Sequence, residues 1–179
     1  MQIHLVLTVI GRDRPGLVSA VSETIAAGGG NWLDTRMARL SGQFAGMLLV
    51  AIAPEKADAL VASLRKMEAQ GLRFIIEKCD EPAQIAGRTL RLELVGLDRP
   101  GIIREISSVL ASQNVSIVEL ESERVSGSFS GEAMFKANAL LTLPDDLDVE
   151  DLRESLEALA NELMVDLALD DKWALAHCG

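Results

Sequence analysis

The chain has 179 residues, of which 49% are hydrophobic and 25% are charged, and its formal net charge is −10. This composition is typical of a globular protein with one mid-sized domain or two small ones. The excess negative charge lies in the second half: residues 1–82 hold nine cationic and nine anionic side chains, whereas residues 83–179 hold eight and eighteen. Because nucleic acid is bound by clustered Lys and Arg, we expect no direct nucleic-acid binding.

The sequence also gives no indication of secretion or of membrane insertion. The opening stretch MQIHLVLTVIGRD lacks the basic start of a signal peptide, and its apolar run is too short. The longest apolar stretch begins at Phe44 and has about half the length of a membrane helix. We therefore expect a cytoplasmic protein with no membrane contact.

The first half of the chain predicts a unit with the element order βαββαβ. Leu17, Val21 and Ile25 recur at helical spacing, whereas the segment before them alternates as a strand does. In chain order the predicted elements are a strand at 3–10, a helix that begins near Pro15 and ends at Gly28, strands at 31–40 and 44–53, a helix that begins at Pro54, and a strand at 72–78. This order is the ferredoxin-like unit, an antiparallel sheet with two helices on one face.

The second half repeats the first at an offset of 85 residues. Asp-Arg-Pro-Gly occurs at 13–16 and again at 98–101. The octapeptide RLSGQFAG, which begins at Arg39, matches RVSGSFSG, which begins at Arg124, without a gap. An ungapped match over about 50 residues indicates an internal duplication.

The duplication predicts the domain organisation. The second copy has the same element order, with a helix at 149–163 that begins after Asp148. We therefore predict the α+β class, with two tandem ferredoxin-like βαββαβ domains. The predicted segments are a first domain at 1–80, a linker at 81–87, a second domain at 88–171 and a C-terminal tail at 172–179.

The repeated Asp-Arg-Pro-Gly motif has two physical interpretations, which are compatible. In the structural one, Asp caps the helix, Pro lies in the first helical turn and Gly permits a tight turn. In the functional one, the helix N-terminus exposes free backbone N–H groups, and glycine lets a small anion approach them. A carboxylate is a natural guest for such groups, so a small amino acid is a candidate ligand.

A strand that ends in Gly-x-Asp-Arg-Pro-Gly, followed by Leu or Ile and an apolar helix, resembles the ACT domain. ACT domains are ferredoxin-like regulatory modules that bind amino acids. The resemblance covers nearly the whole chain as two tandem copies, and such a pair is similar to the glycine cleavage system transcriptional repressor family. That family implies control of transcription through a protein partner, a DNA-binding activator, in response to glycine.

The resemblance also implies where the ligand binds. In ACT domains the site lies at the loop between the first strand and the first helix, usually at an interface between ACT units, with an Asn at the start of the second strand. The matching residues are Asp13, Arg14, Pro15, Gly16, Leu17 and Asn31 in the first copy, and Asp98, Arg99, Pro100, Gly101, Ile102 and Ser116 in the second. Ser116 departs from the Asn and has fewer hydrogen-bonding sites, so whether both copies bind stays open.

Motifs of catalysis, metal binding and RNA binding are absent from the sequence. His4 and His177 are the only histidines, neither has a counterpart at the 85-residue offset, and there is no Cys-x-x-Cys. The RNA-recognition fold shares the βαββαβ topology, but it stacks bases on aromatic side chains, and this chain has no Tyr and 4 Phe. We expect no enzymatic activity, no cofactor and no metal.

The sheet faces that point away from the helices are predicted to differ between the copies. In the first copy this face carries Val6, Thr8, Ile10, Trp32, Met47, Leu49 and Ala51. The aligned positions in the second are Arg91, Glu93, Val95, Ile117, Glu132, Met134 and Lys136, with Glu119, Glu121 and Glu123 alongside. The apolar face is expected to pack on the other copy, on a second chain or on a partner. The glutamate row is either solvated or contacts a basic partner.

These observations predict an amino-acid-responsive regulatory protein that is not an enzyme. It would bind a small amino acid, with glycine the first choice, and control transcription indirectly through a protein partner. We expect either that its two domains pack closely together or that the chain forms a homo-oligomer. Two alternatives stay open: a sensor that controls a metabolic enzyme, and a structural pairing module that binds no ligand.

Overall fold

The computed structural model describes residues 2–79, 87–126 and 132–170. The chain divides into two compact units, Met1–Ala83 and Gln84–Gly179. The predicted tail at 172–179 lies outside the described residues, and so does the predicted linker at 81–87 apart from Gly87. The two units are therefore described one at a time.

The first unit has the predicted order βαββαβ. Its elements are β1 (Ile3–Arg12), α1 (Leu17–Ala27), β2 (Asn31–Leu40), β3 (Gln43–Ile52), α2 (Pro54–Lys66) and β4 (Leu72–Cys79), with a 3-10 turn at Met67–Gln70 before β4. The strands form an antiparallel sheet in the order β2-β3-β1-β4. This is the ferredoxin-like arrangement that the sequence predicts.

The second unit repeats this arrangement. Its elements are β5 (Arg88–Leu97), α3 (Ile102–Ser112), β6 (Ser116–Ser126), β7 (Ala133–Leu143), α4 (Val149–Leu163) and β8 (Val165–Asp170). The strand order β6-β7-β5-β8 is the same, and every pairing is antiparallel. Asp148 caps α4 as expected, because its carboxylate accepts a hydrogen bond of 2.9 Å from the N–H of Glu150.

The helices of each unit cover one face of its sheet. Leu5, Leu7 and Val9 alternate along β1 and are fully buried against Ile25 of α1 and Leu60 of α2. Burial of such side chains contributes about 1.5–3 kcal/mol each and holds the layers together. Within the described ranges, no helix combines the length and the apolar character needed to cross a bilayer.

A β-bulge changes which face the start of β2 presents. The pairing register with β3 shifts between Trp32 and Asp34, and Trp32 lies opposite the buried Val50 and packs against the core. The assignment of Trp32 to the outer face is therefore wrong, because one extra residue reverses the alternation of a strand. The same shift follows Ile117 in β6, which lies opposite the buried Leu141, so its assignment to the outer face is also wrong.

The 85-residue offset does not extend into the third strand of the second unit. Leu40 pairs with Gln43 across the first hairpin, whereas Ser126 pairs with Ala133 across the second, so the second hairpin has a longer connection. The proposed counterparts of Met47, Leu49 and Ala51 are therefore wrong in register. The correct counterparts are found from the residues that pair with equivalent positions of the first strand in each unit. They are Asn138, Leu140 and Thr142.

The outer faces of the two sheets differ in chemistry. In the first unit the face exposes apolar side chains, with Ile10 36%, Met47 55% and Ile75 64% exposed. In the second unit it carries the predicted glutamate row on β6, where Glu119, Glu121 and Glu123 lie opposite Leu140, Asn138 and Lys136. The predicted contrast between the two outer faces is confirmed for these residues. Trp32 and Ile117 are not part of these outer faces.

Candidate functional site

The glycine that opens each motif is required by close packing against the fourth strand. A Cβ added to Gly11 would lie 2.8 Å from the carbonyl oxygen of Gly71 and 2.8 Å from a methyl carbon of Leu72. A Cβ added to Gly96 would clash with Val165, the first residue of β8. Both glycines therefore serve the packing of the sheet and leave no room for a side chain at these positions.

The helices begin later than the motif predicts. α1 starts at Leu17 after Gly16, whose φ is 86°, and α3 starts at Ile102 after Gly101, whose φ is 99°. These glycines are the N-caps, and within the described residues no side chain caps either helix. The expectation that the motif's Asp caps the helix is therefore wrong. Pro15 and its counterpart Pro100 also precede the helix rather than lie in its first turn.

The motif's Asp forms an ion pair with an arginine of the second strand. In the first unit Arg39 Nη1 lies 3.2 Å from Asp13 Oδ2, and in the second Arg124 Nε lies 2.8 Å from Asp98 Oδ2. The backbone N–H of each Asp also donates to the β-hairpin between the second and third strands, through hydrogen bonds of 2.9 Å and 2.8 Å. The carboxylate thus fastens the loop to the hairpin in both units.

The motif's Arg has a different partner in each unit. Arg14 Nη2 donates to the side-chain oxygen of Gln70, at 3.3 Å, in the turn before β4. Arg99 Nη2 lies 3.3 Å from Oε2 of Glu105, in the first turn of α3. One motif cation is therefore held by a neutral amide and the other by a carboxylate.

The remaining loop residues offer backbone rather than side chains. Leu17 and Ile102 are 4% and 2% exposed and belong to the two cores, so neither side chain can reach a ligand. The first-turn N–H groups of an α-helix have no partner within the helix. A Cβ built on Gly16 would meet no described atom within 4 Å outside its chain neighbours, so the space beside this glycine is open in the first unit.

The two parts of the predicted site do not meet within one unit. Asn31 pairs with Ala51, which in turn pairs with His4 near the start of β1, whereas the loop follows Arg12 at its end. The separation along the sheet is about 26 Å at the usual rise per strand residue. Ser116 has the same position in the second unit, opposite Thr142 on β7. An Asn and a loop of the same unit therefore cannot contact one small ligand.

Sequence reasoning missed three charged residues of these loops. The signal for Arg39 and Arg124 was present, because they begin the two matched octapeptides and share the 85-residue offset of Asp13 and Asp98. Glu105 gave no such signal, since its counterpart at that offset is Ala20. Across the described ranges, no group of three or more His, Cys, Asp or Glu side chains is placed to hold a metal ion.

Comparisons with known proteins agree with this fold. The family model described as "ACT domain" matches residues 3–77 and 88–170. The glycine cleavage system transcriptional repressor of Escherichia coli K12 is 23% identical over 165 residues, which cover 90% of this chain and 86% of that protein.

Two solved structures are similar over nearly the whole chain. A protein of unknown function from Galdieria sulphuraria has a TM-score of 0.84 at 26% identity, with 96% of this chain and 99% of that chain covered. The second is a structure described as a proposed glycine cleavage system transcriptional repressor, with a TM-score of 0.70 at 20% identity. The match covers 95% of this chain and 97% of that chain, and it shows that the two proteins share a fold. The similarity to the Escherichia coli repressor and the match to the ACT domain model support a regulatory, amino-acid-sensing role. The matched segments span most of the sequence, so the chain belongs to the ACT domain family, with two ACT domains in tandem.

Proposed function

We propose that the chain is an amino-acid-responsive regulator that controls transcription indirectly, through a protein partner such as a DNA-binding activator. The ligand is a small amino acid, with glycine the first choice. Its carboxylate binds at the loop formed by residues 13–17, here called the first loop, and its counterpart at 98–102 is called the second loop. The chain has no catalytic step of its own.

The observation that carries this proposal is the uncapped start of α1. No described side chain caps the first-turn N–H groups, the space at the Cβ position of Gly16 is open, and the positive end of the helix dipole favours an anion there. Arg14 adds a cation whose hydrogen-bond partner is the neutral amide of Gln70. A carboxylate that enters the first loop therefore gains backbone donors and a nearby positive charge.

Asn31 extends this proposal to the oligomeric state. Because it lies at the far end of its own sheet, it can join a ligand at a first loop only if that loop belongs to a second copy of the chain. Ligand binding would then be coupled to association between copies. Sedimentation velocity with and without glycine tests this coupling, and a monomer under both conditions would contradict it.

The surface that contacts the protein partner is assigned to the second unit. Its outer face carries the row of Glu119, Glu121 and Glu123, and all of the chain's net negative charge lies in residues 83–179. Such a face suits a basic surface on a protein partner and repels DNA. The similarity to a transcriptional repressor over 90% of the chain supports transcription as the process controlled.

Ligand binding is tested by a thermal-shift panel of the twenty amino acids. A ligand at about 100 times its Kd stabilises the folded protein by about 2.7 kcal/mol, which raises Tm by several degrees. Gly16→Ala should remove this shift, because the added methyl group would stand in the open space through which a ligand approaches the first loop. Gly71→Ala is the matched control, since Gly71 has the same φ of 86° and its Cβ would also meet no described atom within 4 Å. A shift that survives Gly16→Ala would contradict the site.

Indirect control is tested with promoter DNA and a candidate activator. The purified chain alone should not retard the DNA at physiological salt, whereas it should alter a complex that the activator has already formed. Replacing Glu119 and Glu121 by Lys should weaken this effect, more at low salt than at high salt. Glu154→Lys with Glu157→Lys, on the exposed surface of α4, is the control with equal charge change. Tight binding of DNA by the chain alone would contradict the proposal.

A further inference from the structure

We infer that Glu105 closes the second loop to carboxylate ligands, so that each chain binds one amino acid, at the first loop. This inference rests on the proposed function and assigns Glu105 as a specificity-determining residue. It concerns the number of sites and not the identity of the ligand. The supporting observations are the position of the Glu105 carboxylate and its arginine partners.

The Glu105 carboxylate lies beside Gly101, the residue that precedes α3. Its Oε1 is 3.5 Å from the position of a Cβ on Gly101, and the side chain is 33% exposed. The equivalent space above Gly16 holds no described atom within 4 Å. A negative charge thus already occupies the positive end of α3, whereas the first turn of α1 contains no acidic residue.

Glu105 also engages the cation of the second loop. Its Oε2 lies 3.3 Å from Arg99 Nη2, and its Oε1 lies 3.4 Å from Arg104 Nη2. Arg104 is 79% exposed, so solvent screens its charge, whereas Arg99 is only 37% exposed. A ligand carboxylate would have to compete with Glu105 for this Nη2 atom of Arg99.

The guanidinium of Arg99 is partly buried within the second unit. Its Nε is buried without a hydrogen-bond partner among the described residues, and the ion pair of its Nη2 with Glu105 is the polar contact that they give this guanidinium. A carboxylate attached a few residues away competes at a high effective concentration with one that is free in solution. The result is a loop whose anion site is occupied by the chain itself.

The number of sites is tested by isothermal titration of the full chain with glycine, L-alanine and L-serine. We expect one equivalent per wild-type chain and two equivalents for Glu105→Gln, with the affinity of the second loop raised about tenfold or more. Glu154→Gln, an exposed substitution on α4, is the matched control and should stay at one equivalent. The double variant Gly16→Ala with Glu105→Gln should retain one equivalent, at the second loop.

The outcomes separate this inference from the proposed function. Two equal equivalents in the wild-type chain, or one equivalent in Glu105→Gln, would overturn the inference and leave the proposed function standing. Binding by Glu105→Gln but not by the wild-type chain would support the closure of the second loop and overturn the assignment of the first. Absence of binding by both proteins to all three amino acids would overturn both.

Discussion

The two Asp-Arg-Pro-Gly loops share one half of their chemistry and differ in the other half. Both fasten an Asp to an Arg of the second strand, through Asp13 with Arg39 and through Asp98 with Arg124. They differ at the next residue, because Arg14 contacts a neutral amide and its counterpart Arg99 contacts a carboxylate. The shared half shapes the loop, and the half that differs sets the charge that a ligand would meet. A duplicated motif therefore need not mean a duplicated site.

The cores of the two domains show a similar contrast. The buried Leu48 of β3 lies opposite Leu7, whereas the corresponding partner of Leu92 on β7 is Ala139. The second domain has a small cavity of about 20 Å³ beside Ala139, lined mainly by apolar side chains. One fold thus tolerates a leucine or an alanine at the same position, because the surrounding side chains differ.

The largest expected effect comes from making the first core resemble the second at this position. Leu48→Ala should lower the free energy of unfolding by about 2–5 kcal/mol, because it removes a buried side chain that is 2% exposed. Leu49→Ala, at the next residue on the opposite face, is the control and should cost much less. Urea denaturation followed by circular dichroism measures both. Equal losses would show that the two sides of the sheet are equally covered.

A smaller effect tests the close packing of the glycine that opens the first motif. Gly11→Ala should cost about 1–3 kcal/mol, since its methyl group would lie 2.8 Å from a backbone oxygen of Gly71. Gly42→Ala is the control in the hairpin turn. It has φ of 75° and open space at its Cβ, so it should cost only the backbone strain of about 1 kcal/mol. If the control proved the more harmful of the two, close packing against β4 would not be the reason for Gly11.

The ion pairs of the motif should contribute less, and about equally in both domains. Asp13→Asn and Asp98→Asn are each expected to cost about 0.2–1 kcal/mol, because their arginine partners are 72% and 70% exposed. Double-mutant cycles with Arg39→Gln and Arg124→Gln isolate the pairwise energies, which should fall as salt rises. A coupling energy several times larger in one domain would contradict the expectation that the two ion pairs contribute about equally.

The smallest effect concerns the link between the second helix and the fourth strand. In the first domain Lys78 Nζ donates to Asp58 Oδ1 at 2.8 Å, and this hydrogen bond, together with the charge of Lys78, lowers the pKa of the Asp58 carboxyl from its ordinary 3.8. In the second domain the corresponding link is a hydrogen bond from Arg153 to the carbonyl oxygen of Leu169. We expect Lys78→Gln to return the Asp58 pKa toward its ordinary value in a carboxyl NMR titration.

The sign of the pH dependence follows from the lowered pKa. The stabilisation that Asp58 contributes is fully present above the ordinary carboxyl pKa, and it is lost as the pH falls through the lowered value. Glu55→Gln on the same helix is the control and should leave the Asp58 titration unchanged. An unchanged Asp58 pKa in Lys78→Gln would contradict the contact.

The order of the elements was predictable because local sequence determines it. Helical spacing, Gly28 after α1 and Asp148 before α4 act over a few residues, so a single sequence reveals them. The faces of the strands were less predictable. One extra residue in β2 places Trp32 on the core side of the sheet, and the longer second hairpin shifts β7 relative to the 85-residue offset. Both changes are set by the pairing of one strand with another, which a local pattern does not reveal.

The place of the two loops along the chain was predictable, but the contacts of their side chains were not. The repeat placed both loops correctly along the chain, and the structure confirms that a helix follows each glycine. It could not show that Asp13 would contact Arg39 rather than cap α1, because that choice depends on where the hairpin between β2 and β3 lies in space. The predicted ligand residues themselves stay a prediction.

The position of Trp32 gives the molecule a built-in optical probe. Its indole packs against the core of the first domain, and it adjoins Asn31 in the chain. The other tryptophan, Trp173, lies outside the described residues, so a Trp173→Phe chain would fluoresce from Trp32 alone. Emission from that chain would follow the unfolding of the first domain separately from the backbone signal of the whole protein. A change in the emission spectrum of the same chain on adding an amino acid would report a change in the surroundings of Trp32, next to Asn31.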